Sequence, residues 1–203
     1  AIWGTAPNDV WASGSGGQVL HLVGNTWATV TSGTTFDLLG IWGASASDVF
    51  FVGVEGAVLH WGGSALTAQT SGTAAYLQAV WGAGSSDVFA VGVGGAIIRY
   101  NGSSWSTMTS GTTEDLNGVW GSSGSDVYAV GASGTVLHYN GTAWSAVASD
   151  YTETISAVWG TPNPAVFFAG DNGLIGRGSR GASLSLDPTS ISFDALGSTQ
   201  AVI

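Results

Sequence analysis

An all-β fold, a β-propeller of four-stranded antiparallel blades, is predicted by three features. These are a strict repeat, short runs of β-branched and aromatic residues, and glycine-rich turns between the runs. Trp3, Trp42, Trp81, Trp120 and Trp159 stand 39 residues apart, each followed by glycine. Gly14, Gly53, Gly92, Gly131 and Gly170 keep the same interval, as do Gly17, Gly56, Gly95, Gly134 and Gly173. A fixed period of this size marks a stacked-repeat architecture.

Within one repeat, LNGVWG, DVYAVG, TVLHYN and AWSAVA read as four strands, with SSGS, ASG and NGT as the tight turns between them. Helical spacing of apolar residues is missing, and glycine recurs too often to permit a helix. One repeat therefore makes one blade. Runs such as FFVGV, FAVGV and YAVGA are apolar on both faces, as a blade covered on both sides requires. Five 39-residue repeats extend over residues 1–178. The first enters at the end of its inner strand and the fifth stops before its fourth, so both are expected to be incomplete. The repeated tryptophans are expected to fill the wedge between blades as inter-blade core, with carbohydrate stacking as the competing reading.

Residues 179–203 lie outside the repeat. Leu184 and Leu186, then Ile191 and Phe193, alternate with polar residues across Asp187-Pro188, which predicts two short strands. So short a segment cannot enclose a core alone. It is expected to lend a strand to its own fifth blade, or to a neighbouring subunit, which would make Ser179 to Ile203 a route to self-assembly.

Composition excludes several functions. Thirteen acidic residues face three arginines and no lysine, for a net charge of -10, so nucleic acid and anionic membranes would be repelled. No apolar run approaches the roughly 20 residues of a membrane span. A surface of Ser, Thr, Asn and 33 glycines, with few charges, points to an extracellular or cell-surface protein, although the absence of cysteine removes disulfides as support.

Two constellations of polar residues invite a chemical reading. An acid opening the second strand is followed twelve positions later by a basic residue: Asp9 with His21, Asp48 with His60, Asp87 with Arg99, Asp126 with His138. If strands two and three pair around the GASG turn, Val127 lies opposite His138 and Asp126 is one step further, so the side chains meet at one end of the blade. A dyad needed four times, once with arginine in place of histidine, reads as a structural pair rather than a catalytic or metal-binding one. The fifth repeat has Ala165 at the acid position and keeps Arg177.

The second constellation lies in the loops that join one blade to the next. These carry Phe36, Asp37, Tyr76, Glu114, Asp115, Tyr151 and Glu153, with Glu55 and Asp171 on the same face. The aromatics suit a ligand-facing surface. The acids suit a solvated face or, in the competing reading, calcium, although no Asp-x-Asp-x-Asp loop is present. No cofactor is expected otherwise, and zinc is disfavoured by the absence of cysteine and the scatter of the histidines.

The consensus, as in VWGSSGSDVYAVGASGTVLHYNGTAWSAV, resembles the sialidase-type Asp-box (BNR) and Ycf48-like propeller repeats of bacterial surface proteins. NGSSW at Asn101 to Trp105 and NGTAW at Asn140 to Trp144 are similar to the Asp-box turn, with Asn where that motif favours Asp. The C-terminal segment resembles the opening of a bacterial Ig-like domain. Sialidase chemistry, which the resemblance raises, requires three arginines around a substrate carboxylate and a Tyr/Glu pair. Arg99, Arg177 and Arg180 do not fall in the inner-strand positions this needs, and no nucleophile motif occurs. The expectation is therefore a non-enzymatic binding or scaffolding module whose partner is a protein or a glycan. A glycoside hydrolase with its active site in a neighbouring domain is the remaining alternative.

Overall fold

In the computed structural model, residues 1–161, 165–179 and 185–187 are described. They form five four-stranded sheets, each a meander of antiparallel neighbours in chain order. The first blade holds β1 (Ile2–Ala6), β2 (Asp9–Ser13), β3 (Val19–Val23) and β4 (Thr26–Thr29); the second β5 (Leu38–Ser45), β6 (Asp48–Gly53), β7 (Val58–Trp61) and β8 (Leu66–Ala68). The third holds β9 (Leu77–Gly84), β10 (Asp87–Gly92), β11 (Ile97–Tyr100) and β12 (Trp105–Met108); the fourth β13 (Leu116–Ser123), β14 (Asp126–Gly131), β15 (Val136–Tyr139) and β16 (Trp144–Ala146). The fifth holds β17 (Ile155–Gly160), β18 (Ala165–Gly170), β19 (Ile175–Ser179) and β20 (Ser185–Asp187).

In the three middle blades the second strand is the most buried, because it has a sheet neighbour on either side and a blade on either face. Val49, Phe50, Phe51 and Val52 of β6 are all fully buried, and so are Val88 to Val91 of β10. Alternate residues of such a strand serve different cores. Phe51 packs with Trp11 and Leu38 between the first and second blades, whereas Phe50 packs with Leu77, Val88 and Tyr100 between the second and third. Corresponding cores join the third blade to the fourth and the fourth to the fifth.

Each blade grips the next through a tryptophan and a glycine. A β-carbon added to Gly43, Gly82, Gly121 or Gly160 would lie 2.4–2.6 Å from the six-membered ring of Trp3, Trp42, Trp81 or Trp120, respectively. The repeated Trp-Gly dipeptide thus supplies the indole that leaves one blade and the gap that receives the indole of the blade before it.

The inner strands β1, β5, β9, β13 and β17 pack side by side in chain order, and among the described residues no comparable packing joins β17 back to β1. The described blades therefore form an arc. Trp159, expected as inter-blade core, is 60% exposed because no described residue stands over it as a following blade.

Two further expectations change. Every blade has four strands, including the first and last: five residues of β1 suffice to pair Ile2 with Ala12 and Gly4 with Val10, and β20 pairs with β19 beyond the end of the repeat. The hairpin register also moves by one residue, with Tyr128 opposite His138 and Val127 opposite Tyr139. Of the C-terminal segment, Leu184, Ile191 and Phe193, and with them the Ig-like reading, lie outside the described residues.

Candidate functional site

The acid–base pairs form in four blades. His21 Nε2 lies 2.7 Å from Asp9 Oδ1, His60 Nε2 2.6 Å from Asp48 Oδ1, His138 Nε2 2.8 Å from Asp126 Oδ1, and Arg99 Nε donates to Asp87 Oδ1 at 2.7 Å. The register explains the contact. Asp126 and Tyr128 are two residues apart and so point to one face, and Tyr128 lies opposite His138, which makes Asp126 its diagonal neighbour. The ring between them completes the arrangement: His21 stacks on Trp11 at 3.8 Å, His60 on Phe50 at 4.3 Å and His138 on Tyr128 at 4.5 Å. In the third blade Arg99 lies 4.9 Å above Phe89 and donates through Nη1 to the Tyr139 hydroxyl of the next blade.

Each of these carboxylates is engaged within its own blade. Thr5 donates to Asp9 Oδ2 and Ser122 to Asp126 Oδ2, so the carboxylate sits between hydroxyl and imidazole. Activation of a nucleophile needs the opposite order, with the imidazole in the middle to take the hydroxyl proton. Hydrogen bonds from Thr5 and His21 hold the Asp9 carboxyl below its ordinary pKa, and Asp87 holds the Arg99 guanidinium above its own. Each shift favours the charged form of the group concerned. In the fifth blade, where Ala165 replaces the acid, Arg177 is exposed.

The Asn101 and Asn140 side chains are engaged in their own turns. Asn101 Oδ1 accepts from the backbone N–H groups of Ser103 and Ser104 at 3.0 Å each, and Asn140 Oδ1 accepts from Thr142 and Ala143 at 2.9 and 3.0 Å. Of the three arginines, Arg99 and Arg177 lie in third strands, and Arg180 is outside the described residues.

The inter-blade loops share a face with the turns between second and third strands. Asp37 Oδ1 accepts from Gly16 N–H and Asp115 Oδ1 from Gly94 N–H, each at 2.8 Å, and Glu114 accepts from the Ser133 hydroxyl at 2.9 Å. These carboxylates tie the loop at Asp37 to the turn of the preceding blade, and the loop at Glu114 and Asp115 to the turns on both sides. Loop and turn also approach closely where no carboxylate joins them: Gly56, at φ +66°, lies so near the loop that a β-carbon would stand 2.0 Å from the Thr73 carbonyl. Among the described residues no three acidic or histidine side chains gather as a metal site would require. Glu153, Asp171 and Tyr151 line a hollow of about 240 Å³ with Leu174. Tyr151 is drawn into the core of the last two blades, under Gly176, rather than displayed.

This face displays apolar side chains alongside the exposed Glu55, Asp150 and Asp171. Phe36 is 44% exposed and Tyr76 46%; Val93 in the third blade's turn is exposed too, as is Leu39 near the start of the inner strand β5. The Val93 N–H donates to the Tyr76 carbonyl, which fixes these two as neighbours. Leu39 and Val93 escaped the sequence reading. The signal for Leu39 was a break in the repeat, since Gln78, Asn117 and Ser156 occupy its position in the other blades.

No family model matches the sequence, and no curated protein does. Solved structures do resemble the chain. A structure described as YCF48 bound to D1 peptide shares 14% identity at a TM-score of 0.67, covering 93% of this chain and 66% of that one. YCF48 from Cyanidioschyzon merolae shares 15% at 0.68, covering 92% and 70%. The WD40 β-propeller domain of Doa1 shares 10% at 0.75, covering 88% and 64%. At these identities the likeness is one of fold, and the fold is the β-propeller. The chain spans about two thirds of the length of each of these structures.

Proposed function

We propose that this chain is a non-catalytic, protein-binding propeller of a larger extracellular or cell-surface protein, and that it works without a cofactor. The observation that carries the reading is the loop face, where Phe36, Tyr76 and Val93 stand exposed in loops and turns, and where other loops and turns of the same face carry Asp37, Glu55, Glu114 and Asp115. Exposed aromatic and aliphatic side chains within an acidic border suit an extended segment that carries apolar anchors and basic flanks. The similar YCF48 structure is described with a D1 peptide bound, so the fold admits a peptide ligand.

The repeated polar groups support the non-catalytic part, because Asp9, Asp48, Asp87 and Asp126 are already engaged within their blades. A glycan is the second reading, favoured by the same exposed rings of Phe36 and Tyr76, which offer faces for sugar stacking. Panning a random peptide library on the purified chain, beside a glycan array, separates the two. Enrichment of basic peptides with apolar anchors, lost on Phe36→Ala/Tyr76→Ala, supports the proposal. Binding to glycans alone, or turnover of an aryl glycoside that one Asp or Glu substitution abolishes, refutes it.

A further inference from the structure

Two surface turns in the middle of the chain bring a free backbone nitrogen and a polarised side-chain carbonyl into one dipeptide. Asn101 in the third blade and Asn140 in the fourth are each followed by glycine, whereas Val23, Gly62 and Ser179 stand at that position in the other blades. Both asparagines are exposed, in the turns that join β11 to β12 and β15 to β16. The turn itself requires the glycine. Gly102 and Gly141 lie at φ +94° and +92°, and a β-carbon on either would stand 2.8 Å from the β-carbon of Ser86 or Ser125. The same choice leaves the peptide nitrogen after each asparagine without a flanking side chain. Neither the Gly102 N–H nor the Gly141 N–H donates a hydrogen bond among the described residues.

The side-chain carbonyl, by contrast, is surrounded by donors. Asn101 Oδ1 accepts from the Ser103 N–H, the Ser104 N–H and, at 2.9 Å, the Ser103 hydroxyl. Asn140 Oδ1 accepts from two, the Thr142 and Ala143 N–H groups. Donors fixed on a carbonyl oxygen polarise its carbon and stabilise the oxyanion that forms when a nucleophile adds. The nitrogen of the following glycine is tethered to that carbon through the asparagine backbone, so its addition is intramolecular.

We propose that Asn101 and Asn140 are sites of self-modification, at which this chain deamidates without an enzyme and with water as the only co-reactant. Hydroxide removes the Gly102 N–H proton, and the nitrogen adds to Asn101 Cγ while negative charge develops on Oδ1 under its three donors. The Cγ–Nδ2 bond then breaks, Nδ2 takes a proton from water and leaves as ammonia, and a five-membered succinimide remains. Water opens that ring at either carbonyl. One opening gives aspartate, and the other gives isoaspartate, in which the main chain runs through the side-chain carbonyl carbon. Aspartate keeps an acceptor in the turn and adds one negative charge; isoaspartate lengthens the main chain by one carbon and displaces the acceptor. The inference stands on the turns alone and is independent of what the loop face binds. Asn172 supplies the internal comparison. It also precedes glycine, but among the described residues no donor reaches its side-chain oxygen.

The test is to hold the purified 203-residue chain at mildly alkaline pH, quench samples with acid at intervals and digest them with pepsin. Mass spectrometry then maps each asparagine, with aspartate and isoaspartate peptides resolved. In the folded chain Asn101 is expected to convert first, then Asn140, with Asn172 roughly tenfold or more behind. In concentrated urea, where the turns and their donors are lost, the three are expected to convert at similar rates. Ser103→Ala removes one donor at an exposed position. It is expected to slow Asn101 by roughly fivefold, toward the Asn140 rate, without changing the melt. Folded-state rates at Asn101 and Asn140 no greater than at Asn172 overturn the proposal. So does an Asn101 rate that Ser103→Ala leaves unchanged, or the same order of rates in urea as in the folded chain.

Discussion

The indole of Trp42 lies so close over Gly82 that a β-carbon on that glycine would stand 2.5 Å from its ring. The contact joins two blades through residues on their inner strands, where the backbone has sheet neighbours and little room to shift. Gly82→Ala is therefore expected to destabilise the chain by about 1–3 kcal/mol through overpacking. Urea denaturation would measure it. Trump of geometry over composition is tested by adding Trp42→Leu: the two changes together should cost less than their sum, and strict additivity would show that they do not meet.

Asp126→Ala leaves His138 stacked on Tyr128 without its carboxylate. Side chains in this pair are 26% and 28% exposed, so the remaining imidazole can still reach water. A loss of about 1 kcal/mol follows. Ligand binding should be untouched, since the pair faces the neighbouring blade and not the loop surface. A variant that melts like the wild type but loses its ligand would show the pair to be a binding element.

Asp9 sets an acid limit on the first blade. Its folded-state pKa is lowered, first by the hydrogen bond from Thr5 and then by that from His21. A carboxyl with a lowered folded pKa contributes its stability fully above the ordinary value, and loses it as pH falls through the lowered one. Thr5→Ala removes the leading cause, so the Asp9 titration should move up toward the ordinary carboxyl value and acid unfolding should begin at higher pH. NMR titration of the Asp9 carboxyl reads the change directly, and an unmoved curve contradicts the assignment.

Trp105 and Trp144 occupy the same place in successive blades with different satisfaction. Trp105 Nε1 donates to Gln69 Oε1 at 2.7 Å, whereas Trp144 Nε1 is buried without a partner among the described residues. The position corresponding to Gln69 is Met108, which packs against the core that contains Trp144 but offers no amide oxygen. Met108→Gln is expected to stabilise by about 1 kcal/mol, and Gln69→Met to destabilise by a similar amount or more. Thermal melts of the two variants should move in opposite directions.

Most of the architecture was legible because the repeat states it five times: the strands, the turns and the pairing of acid with base twelve residues on all follow from one alignment. The register of the second hairpin was not, because the GASG turn fixes it through backbone angles. Ser133 adopts φ 53° and Gly134 φ 65°, which shifts the strands by one residue and places Asp126 on the same face as His138. The exposure of Trp159 was hidden for a different reason. Its sequence environment matches that of Trp120, and only the absence of a described neighbour beyond it distinguishes the two. The loop surface was half legible, since aromatic residues announce themselves in a loop while Leu39 resembles core until its register is known.

The loop face is the center of the functional account, and its most direct test is an isotherm. A peptide selected on the wild-type chain would be titrated against that chain, against Phe36→Ala/Tyr76→Ala, and against Asp126→Ala as a control away from the face. The account predicts that the double substitution weakens binding by about tenfold or more with an unchanged melting temperature, while Asp126→Ala binds as the wild type does. Equal affinity for all three would contradict it.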